Sequence, residues 1–149
     1  MGISHFRNII VYFFLFSILV SKGSSLFDPT TVQVQNDIEG DQVLLNIHCK
    51  SLDDDLGEHA LNFGNEWDWQ FRVGFGTTYF WCDYRWYDNR DQRWYQGSHE
   101  VYKATLSGFK AKYYVFCHSK CVWSARRDGL YLYRRDKGGM WEKRYTWDP

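Results

Sequence analysis

Side chains that switch between apolar and polar at every second position recur along this chain, and that period limits its fold more than any other feature. In Gln42 to Ser51, Val43, Leu45, Ile47 and Cys49 fall on one side, with Asn46, His48 and Lys50 on the other. Successive side chains of an extended strand leave opposite faces, so this is the pattern of a half-buried strand. Thr31 to Asn36 repeats it with Val32 and Val34. Glu66 to Phe75 does so with Trp67, Trp69, Phe71, Val73 and Phe75. Thr77 to Trp86 sets Phe80, Cys82, Tyr84 and Trp86 against Tyr79, Trp81, Asp83 and Arg85, a second face that is only partly polar.

Turn chemistry separates these runs. Asp128-Gly129 lies between Val122–Arg127 and Leu130–Arg135 and predicts a tight hairpin, because both central residues tolerate positive φ. Leu52 to Asn65, headed by Asp53-Asp54-Asp55, and Tyr87 to Gly97 are polar and read as loops. Ser98 to Leu106, Tyr113 to His118 and Met140 to Trp147 complete a series of about eight short strands. The expected fold is all-β, a small antiparallel β-sandwich, with a closed barrel as the runner-up.

The chain opens with Arg7, an apolar run of 12 residues from Ile9 to Val20, and a small polar exit, Ser21-Lys22-Gly23-Ser24-Ser25. This is the layout of a secretory leader. A membrane span needs about 20 apolar residues. We therefore expect a signal peptide over 1–25, cleaved after Gly23 or Ser25, and one extracellular domain over 26–149. All four cysteines, Cys49, Cys82, Cys117 and Cys121, fall in that domain, and an even count in a small exported domain predicts two disulfides. The sequence leaves three pairings open. The three-residue gap between Cys117 and Cys121 favours a distant partner for each. A zinc site with His118 lacks a second close pair of ligands.

Charge is balanced at 18 basic and 18 acidic residues, but unevenly placed. From Asp28 to Glu100 acids outnumber bases by 14 to 5, and from Lys103 onward bases lead by 11 to 4. The ordinary expectation is that folding intermixes the two halves. No long basic stripe suggests nucleic acid. No Asn-x-Ser/Thr site for N-linked glycan occurs.

Catalytic signals are sparse. No Gly-x-Ser-x-Gly elbow occurs. Asp83 and Asp88 could imitate a glycosidase pair only if a cleft united them. His48 reads as a hydrogen-bonded surface residue beside the disulfide. The three consecutive acids Asp53, Asp54 and Asp55 lack the alternating ligand pattern of a calcium loop. The expectation is a binding protein rather than an enzyme, without cofactor or metal.

Several motifs occur in one order: Val32-Gln33-Val34-Gln35-Asn36, then Leu44-Leu45-Asn46-Ile47-His48-Cys49-Lys50-Ser51 with Asp53-Asp54-Asp55-Leu56-Gly57, then Trp67-Asp68-Trp69-Gln70-Phe71. Phe80-Trp81-Cys82, Cys117-x3-Cys121-Val122-Trp123 and Asp128-Gly129-Leu130-Tyr131 follow. Together they resemble the plant self-incompatibility S1 family, the S-protein homologues, from Val32 to Tyr133. The resemblance implies a secreted plant protein with a β-sandwich core and two disulfides. Founding members are pistil determinants that meet a membrane receptor on incompatible pollen. Between Tyr87 and Val115 no family pattern is visible, so contacts made there are expected to be particular to this chain.

Recognition is expected on loops. Tyr87, Arg90, Arg93, Trp94 and Tyr95 share one polar segment, and exposed Trp, Tyr and Arg are favoured interface anchors. Asp53, Asp54 and Asp55 form the second candidate surface. The expected partner is a cell-surface receptor or another extracellular protein, bound by a monomer that does not insert in the membrane. The alternative is a carbohydrate-binding module using Trp81, Trp94 and Tyr87.

Overall fold

The computed structural model describes residues 29–74, 76–105 and 112–149. The leader over 1–25, Phe75 and Leu106 lie outside them. Among the described residues the alternating segments form nine strands in two sheets, so the sandwich reading holds. The five-stranded sheet has the order β4 (Glu66–Phe71), β1 (Thr30–Asn36), β7 (Lys120–Arg126), β8 (Gly129–Arg134), β9 (Met140–Tyr145). The four-stranded sheet runs β3 (Asp55–Leu61), β2 (Leu45–Ser51), β5 (Thr77–Asp88), β6 (Arg93–Thr105). Every named pair is antiparallel except β1 with β7, which is parallel in the register Thr31↔Lys120 to Asn36↔Ala125. The five-stranded sheet is therefore mixed.

Period-two patterning fills the space between the sheets. Val32, Val34, Leu45, Ile47, Tyr84, Trp86, Trp123, Leu130 and Leu132 are buried. Polar groups inside this layer tie the sheets together. Asn36 is fully buried at the end of β1. Its amide donates to the carbonyls of Val43 (3.0 Å) and Leu61 (2.8 Å), and its Oδ1 accepts from the Ile38 N–H (3.0 Å). The Trp123 indole donates to the Val101 carbonyl at 3.1 Å and the Tyr145 hydroxyl to the Glu100 carbonyl at 2.9 Å, both from the five-stranded sheet to β6.

Four local expectations need correction. The segment read as a loop from Leu52 to Asn65 contains β3, an edge strand with both faces partly wet, so it carries no clean alternation. The loop read from Tyr87 to Gly97 is the tip of a long β5–β6 hairpin whose turn occupies only 89–92. Tyr113 to His118 is not a strand but lies largely within the helix α1 (Lys112–Cys117), which buries Tyr113 and Cys117 one turn apart.

The fourth correction concerns the disulfides. Cys49 bonds Cys82, but Cys117 bonds Cys121 rather than a distant residue. The helix ends at Cys117, and His118 takes a left-handed conformation (φ 54) that turns the chain back into β7. That reversal leaves the two Cα atoms 5.0 Å apart, within bridging distance. Cys49 and Cys82 are directly paired neighbours on β2 and β5, buried on the core side. This bridge therefore stays within one sheet instead of linking two.

His99 is turned into the core from β6, stacked on Tyr145 with ring centroids 4.2 Å apart, beside Tyr84 and Trp147. Gly97 makes room for it, since a Cβ there would lie 2.4 Å from the imidazole Nε2. That nitrogen is buried without a hydrogen-bond partner. Burial lowers the imidazole pKa, with Asp148 opposing the shift.

Two outcomes follow from these placements. A chain-entropy count assigns about 4 kcal/mol to closing a loop of 33 residues and about 2 kcal/mol to one of 4. Replacing Cys49 and Cys82 by Ala should therefore lower the urea-unfolding free energy about twice as much as replacing Cys117 and Cys121. Equal losses would count against the loop-length account. For His99, the folded pKa lies below the ordinary 6.5, so the unfolded chain binds more protons in acid. Its contribution is intact above about 6.5 and is lost as pH falls through and below that value. Stability profiles of wild type and His99→Gln should differ in slope in that window; parallel profiles would refute the assignment.

Candidate functional site

The outer side of the four-stranded sheet carries an open groove of about 940 Å³. Register arranges its side chains in rows across the strands. Ala60, Asn46, Arg85 and Gln96 form one row, and Glu58, His48, Asp83 and Ser98 form the next. Further along, Lys50, Trp81 and Glu100 are aligned. At the opposite end Tyr87 pairs with Trp94, and Leu44 immediately precedes β2 on the same parity. Leu44, Tyr87 and Trp94 are 40%, 37% and 45% exposed, an apolar row left open to solvent.

Local contacts hold this surface in shape. The Arg85 guanidinium lies 4.1 Å above the Trp94 ring, and Tyr87 is tilted against the same ring at 5.3 Å. The Ser98 hydroxyl donates to Asp83 at 2.6 Å. His48 Nε2 meets Asp55 Oδ1 at 2.5 Å, and its Nδ1 lies 3.8 Å from Glu58. The Gly57 N–H and His48 together hold the Asp55 carboxyl below its usual range. Asp53 and Asp54 remain exposed, with their N–H groups donating to the Ser51 hydroxyl (3.2 and 2.9 Å) in a tight turn.

The hairpin tip is pinned from below. Asp88 is buried, accepts from the Arg90 N–H at 2.9 Å, and pairs closely with Arg127 from the β7–β8 turn. Arg127 also donates to the Glu39 carbonyl at 3.1 Å. Burial raises the Asp88 pKa, but the Arg90 N–H and the Arg127 guanidinium outweigh it, and the carboxyl stays below its usual range.

The expected recognition residues are only partly united. Tyr87 and Trp94 share the apolar row. Tyr95 turns the other way, stacks on buried Trp86 at 4.8 Å and donates its hydroxyl to Asp91 at 2.8 Å. Arg93 covers Tyr95 at 5.1 Å, and Arg90 sits exposed in the turn. The acidic turn at 51–54 lies at the far end of β2, about 20 Å from the aromatic row at strand rise. Sequence parity placed His48, Asp83 and Arg85 outward; what it could not reveal is that β3, β2, β5 and β6 are neighbours. Asp83 and Asp88 do not form a pair, since Asp83 faces solvent and Asp88 is buried beneath the hairpin tip.

The sequence profile described as plant self-incompatibility protein S1 matches residues 31–147. This chain belongs to that family. S-protein homolog 24 of Arabidopsis thaliana is 36% identical over 122 residues, covering 79% of this chain and 69% of the relative. Self-incompatibility protein S1 of Papaver rhoeas is 32% identical over 125 residues, covering 83% and 82%. No solved structure matches the chain. For this S1-family chain the matched span includes the β5–β6 hairpin, whose sequence had shown no family pattern beyond Trp86.

Removing the Asp88 carboxylate leaves the half-buried Arg127 without its counter-charge. Asp88→Ala should cost about 2–3 kcal/mol in thermal unfolding, somewhat under the range for a fully buried pair because Arg127 is 27% exposed. It should also speed amide exchange at 89–92. An unchanged melting temperature would show that the tip is held by the β5–β6 ladder alone.

Proposed function

We propose that this protein is an extracellular signalling ligand of plants, secreted by its leader and recognised by a cell-surface receptor through the outer side of its four-stranded sheet. The exposed row of Leu44, Tyr87 and Trp94 above a polar groove carries this reading. Exposed Trp and Tyr, held by packing and set beside charged groups, are the usual anchors of protein interfaces. Membership of the S1 family and the name of its Papaver relative support a role in recognition between cells. Among the described residues no helix is long and apolar enough to cross a membrane. Two disulfides suit an oxidising compartment.

Fluorescently labelled mature protein (26–149) should bind plant protoplasts saturably. That binding should disappear after protease treatment of the cells and weaken by about tenfold in Tyr87→Ala/Trp94→Ala. Non-saturable binding would overturn the proposal. Trp94 beside the amides of Asn46 and Gln96 also suits a sugar ring. Binding that survives protease and is competed by oligosaccharide would establish the carbohydrate reading instead.

A further inference from the structure

The charge asymmetry of the chain survives folding in part, although β1 and β4 from the acidic half join the basic strands in the five-stranded sheet. All four strands of the four-stranded sheet come from residues 45–105, while β7, β8 and β9 come from the basic third of the chain. Among the described residues, four cations of that third pair with carboxylates of the same third. Arg134 pairs with Asp136 and Glu142 at 2.7 Å each, Lys137 and Arg144 reach Glu142 at 2.5 and 2.7 Å, and Lys143 meets Asp128 at 3.2 Å. Lys137, Arg144 and Arg134 hold the Glu142 pKa down to about 2. The groove is the reverse case. Among the described residues, no lysine or arginine stands within ion-pair distance of Glu58, Asp83 or Asp148. Its one arginine, Arg85, is laid over Trp94. A groove in which three carboxylates face one guanidinium therefore adjoins an exposed apolar row on one rigid surface.

We infer that this face takes a cationic, partly apolar peptide segment of the partner. Its Lys or Arg side chain lies between Glu58 and Asp83, and its apolar side chains rest on Leu44, Tyr87 and Trp94. The spacing sets a register. The apolar row and the Glu58–Asp83 row are four strand residues apart, about 13 Å, so an extended segment meets both with residues at i and i+4. Complementary charge of this kind steers encounter and fixes orientation, and it weakens with salt. The inference rests on reading the same face as the receptor-binding surface.

The probe is the blocked peptide acetyl-Leu-Tyr-Ser-Gly-Ser-Arg-amide, compared with a twin ending in Glu, titrated into isotopically labelled 26–149 and followed by NMR. The Arg peptide should shift the Trp94 indole and the Asp83 amide. Its affinity should fall by about three- to fivefold in Glu58→Gln/Asp83→Asn, the range of two exposed ion pairs, and not in Asp68→Asn on the other sheet. Equal binding of the Glu twin, equal loss in Asp68→Asn, or the same resonances shifted by cello-oligosaccharide and not by peptide would overturn it. Protoplast binding without peptide discrimination would refute the cationic partner while leaving the receptor reading intact. Peptide binding without protoplast binding would do the opposite.

Discussion

The bond between Cys49 and Cys82 is the constraint on which the grooved outer surface of the four-stranded sheet depends. It joins residues that sit directly opposite each other in the middle of the β2–β5 ladder, with His48↔Asp83 on one side and Lys50↔Trp81 on the other. A slip of one residue in a strand pair moves every side chain to the opposite face. A covalent pin at the centre of the ladder excludes that slip. It thereby fixes which residues look outward as well as which are buried. The bridge does its work within one sheet; the attachment between sheets falls to Asn36, Trp123 and Tyr145 and to the apolar layer around them.

The two sheets are finished differently on their outer sides. On the five-stranded sheet, Arg126 is held between Tyr131 and Trp141, and Gln33 donates to Glu66 at 2.7 Å. Polar groups there largely find one another. On the four-stranded sheet the aromatic row stays exposed and several carboxylates lack a cation. A surface left unsatisfied in this way, on a scaffold with a covalently fixed register, suits recognition better than it suits stability. The hairpin that presents it is anchored by Asp88 and Arg127, so Tyr87 and Trp94 stand on ladder strands rather than on a loose loop.

Much of this was legible in the sequence where one face of a strand is wet and the other dry. Val43, Leu45, Ile47 and Cys49 announced β2, and Asp128-Gly129 announced the β7–β8 turn. β3 was hidden because Asp55, Gly57 and Glu58 at an edge give neither face an apolar set. α1 was hidden because Tyr-Tyr-Val-Phe is a short run of strand-favouring residues. Tertiary packing of Tyr113 and Cys117, one helical turn apart, overrides that preference. The tip of the long hairpin passed for a loop because Arg85, Tyr87, Arg93 and Trp94 are all exposed, so neither face shows a clean apolar set. The parity of His48, Asp83 and Arg85 was readable, but their convergence on one groove was not, since periodicity says nothing of which strands are neighbours.

The parallel pairing of β1 with β7 has a temporal consequence. Thr31 meets Lys120, so β1, although β4 is available to it earlier, finds its second neighbour only after some ninety further residues have emerged. Contacts that distant in sequence are slow to form. A chain delivered amino end first can assemble the four-stranded sheet, all of it drawn from residues before β7, while the β4–β1 pair still waits for β7. The layer that carries the groove thus has the opportunity to form before the layer that backs it, which leaves its apolar inner side briefly uncovered.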